Sequence, residues 1–130
     1  MKKVILIVTG SIIALILMAF MAMYIYIDVS VKENIRIAKE KHPGKAEDAL
    51  IAYVLDPTIP TRDRSSIGIW TLGQIHSQKA IPVLTELYES FPKGETCAGR
   101  HDSVLCQYEI SKALKAAKSK SWFWHTRLNK

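Results

Sequence analysis

The sequence predicts an all-α protein in which a single apolar N-terminal helix precedes a short array of paired helices. Three observations predict this fold class. Residues 4–27 contain no charged side chain. The apolar residues that follow recur at the three- and four-residue spacing of helices, and no stretch shows the sustained alternation of a strand. About 100 residues follow the apolar run, which is enough for one small domain and excludes a large nucleotide-binding enzyme, a collagenous fibre or a wholly disordered chain.

Residues 1–27 are predicted to form an uncleaved transmembrane anchor, which makes the lipid bilayer a partner. As a helix, residues 4–27 span roughly 36 Å, more than the ~30 Å of a hydrocarbon core. Tyr24 and Tyr26 stand at the far end, where aromatic rings favour the headgroup layer. A cleaved signal peptide is the alternative interpretation, but its apolar region has about 7–15 residues, and no A-x-A cleavage pattern follows this run.

Gly10 and Ala14 form a small-xxx-small pair within the anchor. Such pairs allow the backbones of two transmembrane helices to approach closely. A homo-oligomer formed through the transmembrane helix is therefore a further hypothesis, based on this single pair.

The orientation of the anchor rests on opposing signals. Lys2 and Lys3 precede the apolar run, while four basic residues follow it within residues 28–42. The second group favours a cytoplasmic C-terminal side, but this rule weakens when a long segment follows the helix. A short basic N-terminus before a long apolar run is typical of a signal anchor. We therefore expect an extracytoplasmic helical domain, periplasmic if the source is bacterial, and the residues leave the cytoplasmic orientation open.

Residues 28–45 are predicted to form a juxtamembrane helix and linker. Ile35 and Ala38 are in helical phase within residues 31–41, which can prolong the anchor helix. The sequence His42-Pro43-Gly44 then breaks the helix.

Residues 46–118 are predicted to form the helical repeat domain. A first helix ends before the turn at residues 56–60. A second helix, from about Arg62 to Ile75, is apolar over most of its girth and should lie between two other helices. After a break at His76-Ser77, where Ser77 can accept a hydrogen bond from the next helix, a third helix carries Pro82 in its first turn. A fourth is expected to start near Asp102 and to carry Cys106 on its apolar face.

An internal repeat relates the first and third of these helices. Five apolar residues of each helix match at a constant offset of 34 positions, which is the period of a helix–turn–helix unit. The matched sets are Ala46, Ala49, Leu50, Tyr53 and Val54, and Ala80, Val83, Leu84, Leu87 and Tyr88. Arrays of this kind need about three units, whereas this chain has two to three helix pairs, so other segments or a partner must cover its ends.

One stretch of the domain resembles a known family. Residues 68–75 read Gly-Ile-Trp-Thr-Leu-Gly-Gln-Ile, and residues 79–84 read Lys-Ala-Ile-Pro-Val-Leu. This pattern resembles a HEAT-like repeat of the phycobilin-lyase-type and armadillo-like helical proteins. Two departures are Ser65 where the family often has arginine, with Arg64 one place away, and His76-Ser77 where Gly-Asp is common. The resemblance implies a right-handed α-superhelix that makes protein–protein contacts, without implying a single chemistry.

The two cysteines, Cys97 and Cys106, allow three interpretations. A disulfide between them would staple a loop to the fourth helix and would require an oxidising compartment. The second interpretation is a pair of unbonded thiols in a cytoplasmic domain. The third is a metal site formed with His101 and Asp102, although this spacing matches no familiar zinc site.

No catalytic, cofactor-binding or metal-binding residues are predicted, and neither is enzymatic activity. The sequence has no glycine-rich phosphate-binding loop and no nucleophile elbow. The four histidines, His42, His76, His101 and His125, fall at breaks and chain ends, where solvated or capping roles are expected. No cofactor is therefore expected.

Residues 119–130 form a basic aromatic tail. Its aromatic side chains, Trp122, Phe123 and Trp124, are predicted either to cap the last helix pair or to lie in the membrane interface while nearby bases attract anionic lipid. Residues 28–111 carry ten Lys/Arg and twelve Asp/Glu, whereas residues 112–130 carry six bases and no acid. With one short basic cluster beside an acidic body, nucleic acid is not an expected partner.

These features predict a membrane-anchored helical-repeat scaffold that binds an unidentified protein. The alternative is a lipid-surface or envelope-associated module that uses the basic aromatic tail. A third, weaker hypothesis comes from the family resemblance alone, which is a lyase-like protein that handles a chromophore.

Overall fold

The computed structural model describes residues 2–90 and 105–119, with side chains from residue 7 onward. Within these ranges the chain is helical and contains no strand, which confirms the all-α fold class. The elements are α1 (Lys2–Lys41), α2 (Ala46–Leu55), α3 (Thr61–Asp63), a π-helical segment (Arg64–Ile69), α4 (Trp70–Gln74), α5 (Ile81–Ser90) and α6 (Gln107–Lys118). By its internal contacts the chain divides into two units, Met1–Lys32 and Glu33–Lys130.

Helix α1 continues past the apolar run, as predicted for residues 31–41. It ends at the predicted break, where the His42 N–H donates its last helical hydrogen bond to the Ala38 carbonyl at 2.8 Å. Pro43 then supplies no N–H, and Gly44 adopts a φ of +153°, which disfavours a side chain. The chain therefore leaves the helix axis here and starts α2 at Ala46.

Residues 61–74 form one continuous helical rod, made of α3, the π-helical segment and α4, which we call the central helix. Within it, the Trp70 N–H bonds to the Ser65 carbonyl, five residues back instead of four. The central helix packs on α2 and on α6, which confirms the prediction that it lies between two other helices. The π-helical segment has no counterpart in the side-chain periodicity and was not predicted.

Two glycines allow close helix approaches along the central helix. A methyl group at Gly68 would lie under 3.0 Å from the Val54 side chain on α2. At Gly73 it would lie 3.0 Å from the Cα atom of Ala113 on α6. The glycines of the family-like stretch are therefore the points where neighbouring helices cross the central helix.

Helix α5 packs chiefly on α6, which also packs on the central helix. The central helix and α5, which together carry the family-like stretch, therefore share α6 as their main common neighbour. Burial also differs between the matched sets, because Tyr53 and Val54 are buried whereas Leu87 and Tyr88 are half-exposed. The described residues therefore show paired helices, and the HEAT-like superhelix stays a prediction.

Helix α6 begins at Gln107, so the predictions that this helix starts near Asp102 and carries Cys106 on its apolar face are wrong. Cys106 has extended backbone and precedes the helix, yet its side chain is buried beside that of Leu105. Ile59 is also buried, although it lies in the turn between α2 and the central helix. The other fully or nearly buried apolar residues of the second unit are Ile35, Ala38, Ala49, Leu50, Tyr53, Val54, Ile69, Leu72, Ile75, Ala80, Leu84, Ile110, Ala113 and Ala117.

Candidate functional site

Most of the exposed large hydrophobic side chains in the described part of the chain lie on α1. Every side chain from Ile7 to Tyr26 is exposed, including Phe20 at 62% and Tyr26 at 73%. By length and composition, Ile7–Lys41 is a helix that could cross a bilayer, and it lies near the N-terminus. A soluble protein rarely exposes so large a continuous apolar surface, because water solvates it unfavourably.

Ion pairs follow the apolar surface along α1. Asp28 accepts a hydrogen bond from Lys32 at 2.7 Å, and Arg36 contacts both Glu33 and Glu40. Hydrogen bonding to Glu33 raises the pKa of Arg36, and the same bond lowers the pKa of Glu33. Two of the four bases that bear on orientation are thus paired with acids on the same helix.

A polar cluster joins the end of α1 to the turn after α2. Asp56 accepts hydrogen bonds from the Thr58 hydroxyl at 2.7 Å and the Thr58 N–H at 2.8 Å. Its other oxygen lies 3.1 Å from Nε2 of His42, whose ring meets Tyr53 edge-on. The hydrogen bonds from Thr58, followed by the nearby His42, lower the pKa of Asp56. An Asp two residues before a Thr is a turn signal that could have been read from the sequence.

His76 caps the C-terminus of α6. Its Nδ1 lies 2.6 Å from the Ala116 carbonyl, and because a carbonyl can only accept, Nδ1 is the donor. Ser119 donates a hydrogen bond to the same carbonyl at 2.8 Å. A solvated or a capping role was expected for this histidine, and the structure shows capping, of a helix that is distant in sequence. Ser77 also accepts from the Ala80 N–H, as predicted.

Other charged groups bridge elements of the domain. Arg64 Nε donates to the Val54 carbonyl at 2.6 Å, which ties the central helix to the last turn of α2. Lys79 pairs with Asp48, and this hydrogen bond raises the pKa of Lys79. Neither link was predicted, since each depends on tertiary placement. No group of three or more metal-ligand side chains occurs within residues 2–90 and 105–119.

The remaining predicted site residues fall partly outside the described residues. Cys106 is disulfide-bonded. Its predicted partner, Cys97, lies outside the described ranges, so the pairing stays a prediction. His101 and Asp102 of the alternative metal site, and His125, also lie outside the described ranges, and a disulfide-bonded Cys106 is not a thiolate ligand. The predicted cap or interface residues of the tail, Trp122, Phe123 and Trp124, also lie outside the described ranges.

Comparison with protein-family models, with curated proteins and with solved structures finds no match to this chain. The HEAT-like resemblance therefore stays a prediction, carried by residues 68–75 and 79–84.

Proposed function

We propose that this chain is a single-pass membrane protein whose helical domain serves as a protein-binding scaffold. The observation that carries the proposal is the continuous exposed apolar surface of α1 from Ile7 to Tyr26. A helical span of that composition has a lower free energy in a hydrocarbon core than in water. The ion-paired residues that begin at Asp28 suit the polar side of such an anchor.

An extracytoplasmic domain is part of the proposal. The disulfide at Cys106 supports it, because structural disulfides persist mainly in oxidising compartments. Lys2 and Lys3 before the apolar run support the same orientation.

Two observations support the scaffold role. Polar side chains link the elements of the domain to one another, and apolar residues of α5 are only partly buried. His42, His76 and Arg64 each hold two elements of the domain together. Meanwhile Leu87 and Tyr88 on α5 are only half-covered within the described chain, whereas the matched residues of α2 are buried. Stacked helical arrays bury such a face against a further helix, and we assign that place to the partner protein.

Membrane anchorage is tested by alkaline carbonate extraction of membranes that contain the full chain. The wild type should stay in the pellet, and L15R combined with I16R should become extractable, since each arginine near the helix centre costs about 2.5–3.5 kcal/mol. The matched control, L15A with I16A, should stay in the pellet. Extraction of the wild-type chain would contradict the anchor.

Orientation is tested by labelling cysteines on intact cells with a membrane-impermeant thiol reagent. Labelling that requires prior reduction is the expected result, because Cys106 is disulfide-bonded. Labelling that requires cell lysis would contradict an extracytoplasmic domain.

The scaffold role is tested by site-specific photo-crosslinking in cells. A crosslinker at half-exposed Leu87 should give one discrete protein adduct, and the same group at the adjacent, exposed Glu86 should give much less. Equal adduct patterns at the two positions, or none at Leu87, would contradict a partner on this face of α5.

A further inference from the structure

Helix α6 has one basic aromatic face opposite its buried face. Tyr108, Lys112 and Lys115 are exposed and follow at intervals of four and three residues, which places them on one side of the helix. The buried residues Ile110 and Ala113 lie on the other side. Tyr108 is 63% exposed, and Lys112 Nζ lies 5.1 Å from the centre of its ring. Exposed Lys118 flanks this stripe; we call the four residues Tyr108, Lys112, Lys115 and Lys118 the α6 basic face.

The lysines of this face differ from the paired bases elsewhere in the domain. Lys79 and Arg36 pair with carboxylates, whereas within residues 2–90 and 105–119 no ion pair involves a lysine of the α6 basic face. The sequence from residue 110 to residue 130 also contains no Asp or Glu. Glu109, three residues before Lys112, is the last acid of the sequence and, within the described residues, forms no ion pair with the lysines of the α6 basic face, so these three lysines outnumber the one acid near them in sequence.

We propose that the α6 basic face binds the anionic headgroups of the bilayer that holds the chain. The proposal rests on the membrane anchorage proposed above. Each lysine near an anionic bilayer surface contributes attraction, and a tyrosine with an apolar ring and polar tip suits the headgroup layer. Tethering through α1 adds to this effect, because it keeps headgroups at a high effective concentration around the domain.

The chemistry of the face favours a lipid surface over a discrete phosphate site. Lysines are point charges on flexible stems, whereas a specific phosphate site usually offers an arginine fork or a cradle of backbone N–H groups. Tyr108, Lys112 and Lys115 stand in a row along about two turns of helix. A fluid surface with many separate charges can meet all of them at once.

The test compares amine reactivity of the full chain in two kinds of nanodisc, one of phosphatidylcholine alone and one containing phosphatidylglycerol. Mass spectrometry gives the labelling rate at each lysine, with Lys45 and Lys79 as internal references. Lys112, Lys115 and Lys118 should react several-fold more slowly in the anionic discs, and high salt should abolish the difference because it screens surface charge. Equal rates in the two discs would overturn the proposal. Slowing by inorganic phosphate in neutral discs would equally overturn it in favour of a free-phosphate site.

Variants separate this proposal from the anchor. Replacing Lys112 and Lys115 with glutamine should lower the protected-to-free ratio at Lys118 in anionic discs about fivefold per lysine removed. The matched control, K45Q with R62Q, removes two exposed bases outside the α6 basic face and keeps Lys79 as the internal reference. It should leave that ratio unchanged, and equal effects of the two pairs would overturn the proposal. A chain that co-elutes with discs but shows no lipid-dependent protection refutes this inference alone. A chain that elutes without discs refutes the anchor and this inference together.

Discussion

Gly68 and Gly73 set the distances at which α2 and α6 cross the central helix. Each site lacks room for a methyl group, since the nearest atoms belong to a stiff β-branched side chain at Val54 or to the α6 backbone at Ala113. In an open helical position glycine costs about 0.5–1 kcal/mol relative to alanine. At these two positions, packing reverses that preference.

The first prediction concerns the crossing at Gly73. G73A should destabilise the domain by about 1–3 kcal/mol, because the added methyl group must displace the α6 backbone. Urea unfolding of the full chain in detergent, followed by tryptophan fluorescence, gives the free energy of unfolding. S66A, at an exposed position of the same helix, should change it by less than about 0.5 kcal/mol. A more stable G73A variant would show that α6 does not pack this closely.

Asp56 yields a prediction about pH. Hydrogen bonds from Thr58, together with His42, hold the pKa of Asp56 below its usual 3.8. A lowered folded-state pKa means that this carboxylate stabilises the fold above its usual pKa, and that the contribution disappears as the pH falls through the lowered value. D56N should therefore flatten the acid end of the stability profile below about pH 4 and be less stable than the wild type at pH 7. Parallel wild-type and D56N profiles in pH-dependent urea unfolding would contradict this role.

At the scale of elements, the domain depends on how each helix ends. The central helix ends at Gln74, and two residues later His76 adopts a φ of 51° in the left-handed region and donates to the last turn of α6. Glycine would adopt this backbone freely but could not supply the hydrogen bond. A histidine at this position therefore has a strained backbone, and its side-chain hydrogen bond links the end of the central helix to α6.

Two substitutions at His76 separate these effects. H76A should destabilise the domain by about 1 kcal/mol, the typical net value of the lost hydrogen bond, because it keeps the left-handed strain that His76 already carries. H76G loses the same bond but relieves about 1 kcal/mol of that strain, so it should lie close to the wild type. Urea unfolding should thus place H76A below both H76G and the wild type. If H76A were as stable as the wild type, the bond to the Ala116 carbonyl would contribute nothing.

The elements also show which parts of the fold could be predicted from the sequence. Apolar spacing located the helices and placed Leu50, Leu72 and Leu84 in the core, because burial of one helical face leaves a direct trace in the side chains. The π-helical segment leaves no such trace, since it changes which carbonyl accepts a backbone hydrogen bond. Ile59 was missed because it is buried from within a turn, outside any periodic pattern.

Of the candidate functional features, the sequence predicts the apolar surface and does not predict the polar contacts between elements. The apolar surface of α1 can be predicted from the sequence because its residues are continuous along the chain. The cluster at Asp56 and His42 and the bond from His76 to Ala116 are not, because their partners are 14 and 40 residues apart. Nothing in a single sequence specifies which loop meets which helix end.

At the scale of the whole molecule, the helical domain should unfold as one cooperative unit. L84D should abolish its folding, because it places a carboxylate at a fully buried position between α5 and its neighbours. L55D is the matched control, because Leu55 is 50% exposed, and it should change stability by less than about 1 kcal/mol. Tryptophan fluorescence and limited proteolysis of the full chain report the result. A folded L84D domain would show that the core has been misplaced.

The wide sequence separation of the tertiary hydrogen bonds has a consequence for biogenesis. The Asn34 side chain donates to Thr71, 37 residues away, and His76 donates to Ala116, 40 residues away. Such distant contacts are slow to form, because the chain must lose the entropy of closing a long loop before any of these contacts stabilises it. During synthesis the early helices must therefore wait for α6 with their apolar faces uncovered, and this nascent stage is when the protein most needs the protection of chaperones.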